Sequence, residues 1–330
     1  MSKVKFGLRV PEFPLDGSSG EAFRNQIIGY LEKVGPKYDS AWVCDHFTPW
    51  AWWIRDPETT PNLECMTSIS YLSALFPKLD FGSLVLCNGY RHPSVLAQMG
   101  GTLQALTGGR FILGIGAGWK EDEYVTHGLE FPKPSVRIKQ LAEGVQVIRS
   151  MWTQDDPHFV GEFYRIDHAY CQPRPDPAPP IMIGGGGEKL LLRVVAKHAD
   201  WWNLSAGDID RYSHKLKVLK GHCDEIGRDF DEIVPTWSVE TVGVVDSEEE
   251  ASRLIESNPF GQPVPTGSSD KPVPTDPTAA MVIGTADRVS EIFQQFVDAG
   301  CRHFIIRFVS AFPETEQAER FAEEVIPRFR

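Results

Sequence analysis

Eight short apolar runs, each separated from the next by an amphipathic stretch, recur along the whole of this 330-residue chain. The runs cover residues 4–9, 40–44, 80–86, 111–114, 180–183, 199–204, 234–242 and 302–308, and turn-forming residues bound them, which is the pattern of strands. Helical periodicity spans residues 21–34, 67–76, 93–106, 136–151, 188–197, 208–226 and 288–299, and a last helix over 314–329 closes the sequence. Strand–helix–strand units with short links lay successive strands parallel, because the crossover is right-handed. Eight such units close most naturally into a (β/α)8 TIM barrel, with an open doubly wound sheet as the alternative. A single barrel domain over residues 1–330 is expected, with insertions at two places.

The first insertion, residues 158–167, reads as a short hairpin or extended arm. Residues 172–180, which follow it, are rich in proline and must run extended, since each proline restricts itself and its predecessor. The second, residues 257–278, holds six of the 25 prolines and falls between the seventh and eighth units. A loop of that length reads as a lid over the barrel mouth.

Charge and composition exclude several classes. Thirty-three basic residues against 45 acidic ones leave a net charge of −12, and no Lys/Arg run suggests a nucleic-acid partner. No stretch approaches the ~20 apolar residues of a membrane span. The first residues enter a strand pattern directly, without a signal core, so a cytoplasmic protein is expected. Its six cysteines are scattered and form no CxxC pair, which reads as buried, reduced thiols.

In a barrel, function gathers at the C-terminal ends of the strands. After the second strand come Asp45, His46 and Phe47, with Trp50, Trp52 and Trp53 just beyond. His46 is either a proton-handling group tuned by its neighbours or a loop histidine that caps a turn. The fourth strand runs into Gly114, Gly116, Ala117, Gly118 and Trp119, and the fifth into Gly184, Gly185, Gly186 and Gly187. Two glycine-rich turns on adjacent strands could cradle one phosphate with main-chain N–H groups, or could simply permit tight turns.

A dinucleotide fingerprint needs glycine where Trp119 stands, and a Walker A loop would end in Gly-Lys-Ser/Thr; both fail. Asn203, near the end of the sixth strand, has the chemistry to hydrogen-bond a planar heterocycle. Glu123 is a candidate for proton transfer by position, although acids near a helix start are also explained by the macrodipole. Arg91 and His92 read equally as turn residues or ligand contacts. His168, His198, His214 and His222 are expected to be structural. With no HExxH or other metal spacing and no GxSxG elbow, no metal is expected, and an organic cofactor fits better.

The ordered set of these pieces resembles the luciferase-like monooxygenase superfamily, and within it the branch that depends on coenzyme F420, a deazaflavin. The matching pieces are Asp45-His46-Phe47, residues 82–85 and 90–93, residues 108–119, Glu123-Tyr124 before Gly128, residues 179–188 and residues 199–203. The resemblance implies a (β/α)8 barrel with a tricyclic cofactor in its mouth, a small-molecule substrate and a homodimer. It places a non-prolyl cis peptide at Leu84–Val85 under the ring, with Cys87 following. It assigns the phosphate cradle to Ala117, Gly118 and Trp119 with Gly184, Gly185 and Gly186.

By the same resemblance His46 handles the proton that accompanies hydride transfer, Asp45 orients its loop, and Asn203 lines the pocket. Trp50 and Trp53 would shape the substrate pocket. The sugar-phosphate dehydrogenases of this branch carry glutamate at the place of Trp119; tryptophan donates no such proton, which points toward an apolar or aromatic substrate. Two rival readings remain: a reduced-FMN monooxygenase on the same barrel, and a non-catalytic barrel that stores or senses a cofactor.

Overall fold

A computed structural model of the chain describes residues 3–50, 54, 56, 58–258, 281–309 and 312–330. Eight parallel strands form its centre: β1 (Lys5–Arg9), β2 (Ser40–Val43), β3 (Asp80–Ser83), β5 (Phe111–Gly116), β8 (Ile181–Gly184), β9 (Trp201–Ser205), β10 (Val234–Val244) and β12 (His303–Phe308). Each pairs with the next in that order, and β12 pairs back onto β1, with Lys5 opposite His303 and Leu8 opposite Ile306. The sheet is therefore closed, a (β/α)8 barrel, and the open doubly wound alternative is excluded.

The third apolar run differs from its expected form. It splits into β3 and a two-residue β4 (Leu86–Cys87), and the Leu84–Val85 peptide between them is cis, at the position the resemblance implied. The first insertion is a true antiparallel hairpin, β6 (His158–Val160) with β7 (Arg165–Asp167).

Three elements were not expected. A short strand, β11 (Met281–Gly284), extends the sheet beside the far end of β10, with Thr241 opposite Met281. Four apolar residues do not declare a strand by periodicity; β11 is one because β10 runs eleven residues and overshoots the barrel. Helix α4 (Glu121–Thr126) is too short and acidic to show a period. Helix α8 (Glu248–Ser257) is capped by Ser247, whose Oγ accepts from the Glu250 N–H. The closing helix is regular only over α10 (Glu316–Arg320), then winds wide over Phe321–Val325 and tight over Ile326–Phe329, with Pro327 in that last turn.

Most of the core lies between the barrel and its outer helices, and a second core fills the barrel itself. Trp42 of β2 dominates the inner one, fully buried among Ile112, Met182 and Ile305. Its indole is accommodated by glycine on both flanking strands. A Cβ at Gly7 of β1 or Gly82 of β3 would overlap the Trp42 ring. The indole N–H donates to Ser40 Oγ at 2.8 Å, and Ser40 in turn meets His303 Nε2 at 2.8 Å. Burial pulls His303 down to about 3, so it stays neutral there. All six cysteines are buried and free of disulfides. Among the described residues, no helix is long and apolar enough to cross a membrane.

This large-small pairing makes a prediction. Gly82→Ala should lower stability by about 1–3 kcal/mol in urea unfolding, the usual cost of overpacking. Trp42→Phe should recover part of that loss in the double variant, and strict additivity would contradict the packing account.

Candidate active site

The C-terminal ends of β2, β4 and β5 converge on one buried carboxylate. Glu123, on α4, has a side chain only 1% exposed. Its Oε2 accepts from the Tyr90 hydroxyl at 2.8 Å and faces His46 Nδ1 at 2.9 Å. Its Oε1 accepts from the main-chain N–H groups of Phe47 and Thr48, at 2.9 and 3.1 Å. Lys120 Nζ stands 3.9 Å away. Burial alone would raise this carboxyl; the His46 hydrogen bond and charge, the Tyr90 hydroxyl and Lys120 outweigh it and bring Glu123 from the usual 4.5 down to about 2. An ionised carboxylate can only accept, so Nδ1 of His46 carries the proton in this pair and Nε2 is left for other chemistry.

Asp45 turns the other way. Arg91 grips it with both guanidinium nitrogens, each at 2.8 Å, and the Cys87 N–H donates to it at 2.9 Å. Arg91 also pairs with Glu64, whose carboxylate caps helix α2 (Cys65–Leu75). Asp45 therefore ties the β2 and β4 ends and a helix start together. It does not face the mouth with a free oxygen.

The two glycine turns lie side by side, because β5 and β8 are paired with Ile115 opposite Ile183. Most of these glycines have a neighbour that crowds a Cβ; Gly187 has only an ordinary contact with Leu191. Val85 packs against Gly116 and Gly184, at 2.9 and 3.0 Å from where a Cβ would sit. At Gly118, with φ +77°, a Cβ would meet the Tyr124 hydroxyl and Cys87 Sγ, which lie 2.8 Å from each other. Burial pushes the Cys87 thiol up to about 12, so it stays protonated. The Gly185 N–H is taken by the Asn203 carbonyl at 2.9 Å. Among the described residues the N–H groups of Gly118, Gly186 and Gly187 have no protein acceptor. Lys215 lies against this second turn, its Cε 3.6 Å from a Cβ position at Gly186. Helix α6 (Leu191–His198) begins later than the expected 188, so one turn of chain separates the glycines from the helix.

Asn203 departs from expectation. Its Nδ2 donates to Thr236 Oγ1 at 2.9 Å and its Oδ1 accepts from Ser238 at 3.2 Å, with the residue 2% exposed. The amide is engaged at both ends inside the barrel, because β9 and β10 pair in register there. Trp119 stands edge-on to His46, ring centroids 5.7 Å apart, and Trp50 lies 6.5 Å from it. Trp53, and the lid apart from Ser257 and Asn258, lie outside the described residues.

Beyond Trp50 the mouth holds charges the sequence reading passed over. Arg9, at the end of β1, pairs with Glu240 at 2.5 Å and lies 5.1 Å from the Trp50 ring. Arg307, near the end of β12, is 5.8 Å from the same ring. Burial, then the neighbouring Arg9, pulls Arg307 down to about 10. Glu12 accepts from the Cys44 N–H at 2.9 Å. Arg9 and Arg307 are charges inside apolar strand patterns at their C-terminal ends, and that was the available signal. Tyr90 belongs to the 90–93 motif, but nothing in the sequence assigns it a role until Glu123 is found beneath it.

Parallel strands closed into a barrel, an imidazole–carboxylate pair at their C-terminal ends and unpaired main-chain amides on adjacent turns define a ligand-binding (β/α)8 barrel with enzyme-like chemistry at its mouth. Residues 25–303 match the luciferase-like monooxygenase family, and the chain belongs to that family. It is 27% identical to an F420-dependent glucose-6-phosphate dehydrogenase of Microbacterium testaceum, over 96% of this chain and 97% of that protein. In structure it is similar to an F420-dependent secondary alcohol dehydrogenase in complex with an F420–acetone adduct, with a TM-score of 0.81, 23% identity and full coverage of both chains. It is also similar to the EDTA monooxygenase of Chelativorans sp. BNC1, with a TM-score of 0.80 and 13% identity over 99% of this chain and 93% of that one. Those two likenesses establish the fold.

The depressed Glu123 carboxyl links this site to stability. A group lower in the folded than in the unfolded chain stabilises above its unfolded value and loses that contribution as pH falls through the folded one. Glu123 should therefore contribute on the order of 3 kcal/mol at neutral pH, lost between about pH 4.5 and pH 2. Acid unfolding followed by circular dichroism should show Glu123→Gln less stable than the parent at pH 7 and the gap closing toward pH 2. A gap independent of pH would remove the charge from the account.

Proposed function

We propose that this chain is a coenzyme F420-dependent oxidoreductase that moves a hydride between the deazaflavin and a small organic substrate. The observation that carries the reading is the placement of the His46–Glu123 pair beside two adjacent turns with unpaired main-chain N–H groups. The F420-dependent dehydrogenases among its sequence relatives support it. The residues present fit the cofactor: Gly118, Gly186 and Gly187 offer N–H donors to an anionic group, and Lys215, which pairs with Glu188, lies beside them. The Leu84–Val85 segment, with the Val85 side chain against Gly116 and Gly184, would support the ring. When bound, the deazaflavin supplies a carbon that gives or takes a hydride.

The remaining work falls to the protein. Glu123 fixes the His46 ring and its tautomer, so that Nε2 is the atom that takes or gives the accompanying proton. The same carboxylate stabilises the imidazolium whenever His46 holds both protons. Tyr90 and the two loop amides keep Glu123 ionised and stationary. Trp50 and Trp119 flank His46 and exclude water from it. Arg9, Glu240 and Arg307 beyond Trp50 favour a substrate with one polar end, which narrows the purely apolar substrate expected from Trp119 alone. A homodimer and a cytoplasmic setting belong to the same reading, and light scattering on the purified chain tests the first.

Fluorescence titration should show tight binding of reduced F420 and weak binding of FMN. His46→Ala should lower turnover ~10²–10⁴-fold, the usual worth of a positioned acid–base group, while leaving F420 affinity within a few-fold. Tight FMN with weak F420 would turn the reading toward a reduced-flavin monooxygenase. Unchanged turnover in the variant would take His46 out of the mechanism.

A further inference from the structure

Away from the mouth, the base of the β6–β7 hairpin gathers two histidines and two aspartates whose arrangement the proposed redox chemistry does not use. Asp156, His158 and His168 each present one ligand atom, all within 4.8 Å of one another. Both imidazoles turn Nδ1 to the same carboxylate oxygen, Asp156 Oδ1, from 3.6 Å for His158 and 2.5 Å for His168. Both turn Nε2 to a second carboxylate, Asp167 Oδ1, at 2.8 and 3.9 Å. The rings lie edge to face with centroids 4.2 Å apart. The hairpin register holds them there, because His158 stands directly opposite Asp167. Asp156 sits where the chain leaves helix α5 (Pro134–Thr153), so the cluster joins the helix end to the hairpin.

We propose that Asp156, His158 and His168 form a binding site for a divalent first-row transition ion, with Zn²⁺ as its simplest occupant. Zinc bonds to nitrogen and oxygen are roughly 2.0–2.2 Å, so ligand atoms on a tetrahedral ion stand about 3.3–3.5 Å apart. The separations of 2.5 and 3.6 Å to Asp156 bracket that value, and small side-chain rotations at an exposed site bring all three atoms onto one ion. Two imidazoles and one carboxylate suit zinc, copper or nickel better than calcium or magnesium. Asp167 supplies the outer partner that metal-bound histidines need: it accepts the Nε2 proton of His158 and thereby leaves the Nδ1 lone pair for the ion. Two carboxylates against two neutral rings leave a double negative charge, which a divalent ion neutralises. The residues lie at positions 156, 158, 167 and 168. No ligand motif is visible in that spacing, since the hairpin pairing brings the halves together.

The full chain, free of any affinity-tag histidines, should take up one equivalent of Zn²⁺ in competition with a chromophoric chelator. His158→Ala and His168→Ala should each abolish that equivalent, and Asp167→Asn should weaken it ~10–100-fold, as loss of an outer-shell partner does. His214→Ala and His222→Ala, on another helix, should leave it unchanged. Circular dichroism should show every variant folded, since all the altered side chains of the cluster are exposed. No uptake by the parent, or uptake that survives both hairpin histidine variants, would overturn the assignment.

Discussion

Glu123 keeps its negative charge at a position almost closed to water, and it can do so because five groups from three parts of the chain turn donor or positively charged atoms toward it. An uncompensated carboxylate there would take up a proton instead. Tyr90 from the β4 turn, His46 and the Phe47 and Thr48 amides from the β2 turn, and Lys120 just before α4 all depend on this one charge for their placement. A group that orders three loops also orients the imidazole. Stability at the mouth and readiness for proton transfer are therefore the same interaction seen twice.

Beneath that hub, the barrel solves a space problem by alternating extremes of size. Trp42 fills the interior because Gly7 and Gly82 leave room on either side. Higher up, Val85 occupies the space left by Gly116 and Gly184, and Tyr124 with Cys87 occupies the space beside Gly118. The glycine-rich turns thus have a packing reason that holds with no ligand at all. Their unpaired amides are a second consequence of the same residues, and they set where an anion fits.

A further contrast separates Asp45 from Glu123. Both are buried acids beside His46 in sequence or in space, yet one is neutralised by a bidentate arginine and the other by hydrogen bonds and the imidazole. An arginine partner holds its charge at all ordinary pH values, so Asp45 is a fixed strut. The Glu123 partner is an imidazole with a second nitrogen free to give or take a proton, so that pair can take part in proton movement.

The order of the elements, the closed parallel barrel and the position of His46 were legible along the chain, because period and turn chemistry are local properties. The motif order also carried the family. The partners of each site residue were not legible. Asn203 looked free and is bound at both ends by Thr236 and Ser238; Glu123 looked like a helix-start acid and is the hub of the mouth. Arg91, Tyr90 and the Arg9–Glu240 pair join residues up to 231 positions apart. Contacts of that kind exist only once the sheet has closed, since the barrel's register, and not the neighbouring sequence, decides which strand ends meet.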